Sequence, residues 1–141
     1  MKLLFSIIIC ILLSATGGVQ GQTLLKTTWK EVDIEIVNDP NVKSADTYFK
    51  GTSKIVIVFL KNGGRRKYKF IQGDDILYSV YYSEPTEEET VKKFNETLAN
   101  GDYEETEYKF SYKKRGTRNS FFGLDKDDFG RVWYGWEQIP I

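Results

Sequence analysis

The chain has 141 residues, with 20 Lys and Arg against 20 Asp and Glu, one cysteine and no histidine. Zero net charge argues against nucleic acid or an anionic membrane as the main partner, since either selects a clearly basic face. Without histidine, and with Cys10 alone near the amino terminus, the chain lacks the parts of a Ser-His-Asp or Cys-His triad and of an imidazole and thiolate zinc site.

Met1 and Lys2 give a short positive start, Leu3 to Leu13 form an apolar run broken only by Ser6, and Val19-Gln20-Gly21 offers a small-residue exit. The run is too short to span a bilayer. Residues 1–21 are therefore expected to be a secretory signal peptide cleaved before Gln22, placing the protein outside the cell or in the periplasm, with no membrane insertion after cleavage. Cys10 sits inside the apolar run behind Ile9, where lipoprotein processing requires a small residue, so no lipid is expected on it. Residues 22–141 then make one secreted β-rich domain of 120 residues, carrying 19 basic and 20 acidic side chains and no cysteine. A core of that size is held by packing alone, and neither a metal nor a cofactor is expected.

Period-two patterning dominates the domain. In TWKEVDIEIV, from Thr28, the residues Val32, Ile34 and Ile36 alternate with Glu31, Asp33 and Glu35, which predicts a first strand with one wet face. KIVIVFL, from Lys54, reads as a central strand covered on both faces. Asn62-Gly63-Gly64 turns it into RRKYKFI, and Gln72-Gly73-Asp74-Asp75 turns that into ILYSVYY, giving three consecutive strands in a meander. The predicted helix covers about 86–100: Thr86 and Glu89 form a capping box, Pro85 precedes it, and Glu87 and Glu88 sit where a helix start favours negative charge. Val91, Phe94 and Leu98 share one face, and Gly101 is expected to end the helix in the left-handed conformation. YEETEYKFSYKK resumes the strand pattern with Tyr108, Phe110 and Tyr112 on one face; Ser120 to Gly123 is a short strand, and GRVWYGWEQI closes the chain. No internal repeat is visible. The fold class is mainly β, an antiparallel meander or partly closed small barrel with one helix at about 86–100; the alternative is an OB-like barrel.

Two short stretches carry resemblances. Thr27-Thr28-Trp29 at the start of the predicted first strand resembles the G-x-W opening of small secreted lipocalin-like (calycin) β-barrel proteins, whose tryptophan packs under the barrel floor. Trp29 alone carries over, since Thr27 replaces the glycine, and a mid-chain helix departs from the lipocalin order. LDKDDFGRVWYG is similar to the repeat of bacterial sensor propellers, acidic-x-x-Gly-x-apolar-Trp-x-Gly. Only one such unit is present, so the similarity implies an Asp-rich turn closed by Gly130 and leading into a Trp-bearing strand. As an EF-hand loop the stretch fails, because Asp125 and Asp127 alternate but Phe129 occupies the third ligand position.

Lys61, Arg65, Arg66, Lys67 and Lys69 interleave with Tyr68 and Phe70, a pattern that suits single-stranded nucleic acid. Export and zero net charge favour instead the charged solvent face of an edge hairpin, with no nucleic-acid partner. Asn95-Glu96-Thr97 is a glycosylation sequon within the predicted helix and is read as coincidental. In the closing strand, Val132, Tyr134 and Trp136 lie on one face and Arg131, Trp133, Gly135 and Glu137 on the other. The second set holds both charges and is expected to be the outer face, which makes Trp133, flanked by Arg131 and Glu137, the candidate ligand-binding site. The competing arrangement bends the strand at Gly135 and buries both tryptophans.

Asp, Glu, Lys and Tyr remain for acid–base chemistry, but no pair stands apart from ordinary surface charge, so catalysis is not expected. The composition favours a non-catalytic binding protein for a small apolar or aromatic-stacking ligand. A protein interaction or inhibitor module of the cell envelope and a carbohydrate-binding module are the alternatives. An enclosed apolar cavity points to the first, a planar exposed aromatic row to the carbohydrate reading, and a filled interior to protein recognition.

Overall fold

The computed structural model describes residues 27–139 except Asp74, so the expected signal peptide and Cys10 lie outside the described residues. The first element corrects the sequence reading: Trp29–Asn38 is not a strand but helix α1. Alternation over this segment also satisfies the helical i, i+4 spacing. Val32 and Ile36 are buried, while Ile34 between them is 53% exposed. The deciding local signal is the T-x-x-E box of Thr28 and Glu31, in which the Thr28 backbone N–H donates to the Glu31 carboxylate at 3.4 Å. Trp29 therefore opens a helix. Its ring meets Phe70 edge-on at 5.4 Å, with the Lys54 ammonium 3.9 Å from its centroid.

Strand β1, Val42–Lys50, follows where no strand was predicted. The expected meander comes next as β2 (Ser53–Leu60), β3 (Arg65–Ile71) and β4 (Ile76–Ser83). Helix α2, Glu87–Asn100, forms as predicted, with the Thr86 hydroxyl accepting from the Glu89 N–H at 3.2 Å. Gly101 does end it, but with φ −100 and ψ 168 rather than a left-handed turn. Glycine is needed there for space, because a Cβ would overlap the Tyr103 ring.

The stretch read as one strand from Tyr103 is a hairpin, β5 (Tyr103–Glu105) and β6 (Ser111–Lys114). Between them the Thr106 hydroxyl donates to the Ser111 carbonyl at 2.8 Å and accepts from the Tyr108 N–H, a side-chain turn that breaks the ladder. Tyr108 and Phe110 are consequently exposed in the connection instead of sharing a strand face with Tyr112. Strands β7 (Ser120–Lys126) and β8 (Val132–Gln138) complete the chain.

All eight strands form one open antiparallel sheet in the order β1-β2-β3-β4-β8-β7-β6-β5. This is the mainly β, meander-built class expected, with a second helix added, and not the five-stranded Greek key of an OB-like barrel. It also repeats one order of elements, which the sequence did not reveal. A T-x-x-E box, a helix and four meandering strands occur twice, and the halves join where β4 pairs with β8. Tyr68, Val80, Trp136 and Phe122 lie opposite one another across β3, β4, β8 and β7 and so share a face. Both helices cover that face. Val32 and Ile36 of α1 join the core there, and Phe94 of α2 stacks on Phe122 at 5.2 Å. Phe122 is also packed by Tyr103 at 5.1 Å and Trp136 at 4.9 Å, so aromatic rings fill the interior. No helix among the described residues is long and apolar enough to cross a membrane.

Candidate functional site

The other face of the sheet carries the predicted site. Period two sends Tyr68 and Phe70 to the helix-covered face and Arg65, Lys67 and Lys69 to the opposite one. Arg65, Lys67 and Lys69 are therefore separated by the sheet from Tyr68 and Phe70, while Arg66 stays on the aromatic side, and β3 lies between β2 and β4 rather than at an edge. The cations cover rings on their own side: Arg65 over Phe59 at 5.0 Å, Lys67 over Trp133 at 4.2 Å and Lys69 over Tyr81 at 5.9 Å.

Trp133 is on the face predicted for it but is only 2% exposed, which overturns its reading as an open stacking surface. The ammonium of Lys67 lies over it, and its indole Nε1–H donates to the Asp127 carboxylate at 2.9 Å. Both tryptophans of β8 are buried, but without the bend at Gly135 that the competing arrangement supposed, since β8 pairs with β4 and β7 in unbroken register through that residue. Arg131 is occupied as a fastener. Its Nε donates to the Ser83 hydroxyl at 2.8 Å and its Nη2 to the carbonyls of Gly63 at 2.8 Å and Glu84 at 3.2 Å. Glu137 stands four residues further along β8 from Trp133, opposite Ser79 and Phe121. The three predicted residues thus form no common open site.

The acidic turn is built around Asp127. One carboxylate oxygen accepts the backbone N–H groups of Phe129 and Arg131, each at 2.9 Å, while the other takes the Trp133 indole. Both oxygens are committed to the turn, and no group of three or more His, Cys, Asp or Glu placed to hold a metal occurs among the described residues. Burial opposes ionisation of Asp127, but the bonds from Trp133, Arg131 and Phe129 outweigh it and hold the carboxyl below its ordinary value. Burial and the neighbouring Lys69 push the Lys67 ammonium below its usual range, against the pull of Asp127 and Asp125.

A pH dependence follows for Asp127. A depressed carboxyl contributes stability that is complete above its unfolded value, near 3.8, and is lost as pH falls through the lower folded value. The thermal midpoint of Asp127→Asn should therefore lie below that of the wild type at pH 7, and the gap should narrow steadily below about pH 4. Melting curves from pH 7 to pH 2 check this; a gap independent of pH would remove the carboxylate from the account.

Comparison with known protein families, curated proteins and solved structures finds no match for this chain. The geometry therefore has to carry the functional reading.

Three other places have the makings of a site. A shallow cleft of about 240 Å³ lies beside Arg131, lined by Ser83, Glu84, Glu87 and Phe129, with Phe129 96% exposed at the turn. Beneath α1, Arg66 pairs with Asp39 at 3.0 Å next to Tyr68 and Tyr82, whose phenols are pushed up by complete burial. The Tyr82 ring packs against Tyr134 at 5.7 Å and Trp136 at 6.1 Å, so this polar group is an extension of the core.

The third is strand β1. Its nine residues are exposed on both faces except for the half-buried Val42, and it ends the sheet with no further strand beside it among the described residues. Tyr48 and Phe49 are 42% and 63% exposed, and α1 next to it presents Val37 at 74%. The equivalent strand of the second half, β5, has three residues. Ion pairs Lys113–Glu104 at 2.8 Å and Arg115–Asp102 at 2.8 Å guard that edge. Sequence reasoning passed over β1. The signals available were the β-forming Thr47-Tyr48-Phe49 and the turn residue Gly51 behind them.

Proposed function

We propose that this is a secreted, non-catalytic binding module that recognises polypeptide by accepting an extended strand along β1. The observation that carries the reading is the contrast between the two ends of one sheet: a long edge that no described residue covers on either face, and a three-residue one rich in charge. A sheet edge offers alternating N–H and C=O groups to an incoming strand, and the exposed Tyr48 and Phe49 offer apolar cover to its side chains. The ring-filled interior favours protein recognition over a small apolar ligand held inside, and the cover of Lys67 over Trp133 counts against sugar stacking at that indole. The lack of histidine and of any cysteine beyond Cys10 supports a role without acid–base or nucleophilic chemistry.

A photoreactive side chain introduced at Phe49 should form covalent adducts with polypeptide in the protein's own compartment, whereas the same group at Glu96, exposed on α2, should not. Equal labelling from both positions, or none from Phe49, removes β1 as the docking edge.

A further inference from the structure

Resting on the reading of β1 as a docking strand, we propose that the strand it accepts is β1 of a second copy of this chain, paired antiparallel about a twofold axis at Tyr48. A twofold axis normal to a sheet keeps each face on its own side, so residues that meet across it must belong to the same face. On β1, Asp46, Tyr48 and Lys50 belong to one face and Ala45, Thr47 and Phe49 to the other. The axis must therefore pass through a residue, and few registers remain. An axis at Asp46 sets two carboxylates directly opposite each other, which opposes pairing. With the axis at Thr47, Asp46 faces Tyr48 and Lys50 faces Ser44, so neither charge is matched. An axis at Ala45 draws on the irregular end of the strand, where the β1–β2 register slips between Val42 and Ser44.

Centring on Tyr48 gives a different result. Each Asp46 lies opposite the partner's Lys50, Thr47 lies opposite Phe49 on the helix-covered face, and the two Tyr48 rings meet at the axis. Opposite charges are thus matched twice by symmetry, and the exposed Tyr48 and Phe49 gain cover. The β-bulge stays outside the paired segment. A hetero-partner would need its own complementary sequence; a second copy already has it. The ladder is short, so the dimer is weak and its population depends on concentration.

Sedimentation velocity over about 1 µM to 1 mM, the span of weak affinities, should show a monomer–dimer equilibrium. Asp46→Lys should weaken it at least about tenfold by facing lysine with lysine, and the double variant Asp46→Lys with Lys50→Asp should restore it. These positions are exposed, so the variants fold, and the rescue excludes a trivial loss. In a Cys10→Ser background, oxidation should link Tyr48→Cys into a covalent dimer and leave Asp46→Cys monomeric, because only position 48 meets itself across the axis. A wild type that stays monomeric throughout overturns the proposal, as does a dimer indifferent to charge reversal. If the wild type is monomeric and the group at Phe49 captures a different polypeptide, the second copy is refuted while β1 remains the docking edge. Failure of both experiments removes the edge reading itself.

Discussion

Gly135→Ala should destabilise the protein by about 3 kcal/mol or more, seen as a fall in the urea midpoint with the slope unchanged. Gly135 lies in the middle of β8, opposite Tyr81 of β4 on one side and Gly123 of β7 on the other. A Cβ built there would overlap the carbonyl oxygen of Val80 and lie 2.6 Å from the Tyr81 Cα. Backbone atoms cannot rotate aside as a side chain would. The methyl group must push β4 and β8 apart at the joint between the two halves, with Trp136, buried to 2%, next in the chain. Gly51→Ala is the control. Its φ of 60 carries a left-handed penalty of about 1 kcal/mol, but nothing lies within 4 Å of the added atom. Equal losses from the two variants would show that backbone conformation, rather than close approach, sets the cost.

Trp133→Ala should cost roughly 3 to 5 kcal/mol, the range for emptying a large core site. An indole on an open surface would cost well under about 1 kcal/mol. The larger value is expected because Trp133 is 2% exposed, lies under Lys67 and ties the Asp127 turn to β8. Trp133→Phe separates the parts. It keeps much of the ring volume but loses the bond to the carboxylate, an expected loss of about 1.5 kcal/mol. A small effect of Trp133→Ala would reinstate the indole as a surface feature and undo the description of its cover.

The residues that misled sequence reasoning did so for identifiable reasons. Val32, Ile34 and Ile36 satisfy period two, while Val32 and Ile36 alone satisfy the helical repeat, and in a short segment only the cap decides. The same T-x-x-E pattern was legible at Thr86, where no competing alternation obscured it, and overlooked at Thr28. The strands from Ser53 to Ser83 were readable because glycine turns bracket long β-branched and aromatic runs. At Trp133 the inference from charge to exposure failed. Lys67 reaches across the ring from β3, a neighbour two strands away whose identity no local pattern supplies. Of the predicted site, the face of each β8 residue was legible and its cover was not. The repeated order of elements escaped notice because it shows only once α1 and β1 are recognised as a helix and a strand.

The joining of two meanders at β4 and β8 also dictates an order of assembly. Within each half, successive strands meet across short turns, so both meanders close at small entropic cost. The pairing of β4 with β8 is the exception: Ser79 must find Glu137 across α2 and the whole second meander. The joint is therefore the slow, non-local step of folding. Until it forms, Val80 and Tyr82 stand on an unpaired margin as open as β1, and a chain that has completed only its first half carries two such margins. A newly made molecule is most prone to associate in that interval, and the speed with which β8 reaches β4 sets how long the interval lasts.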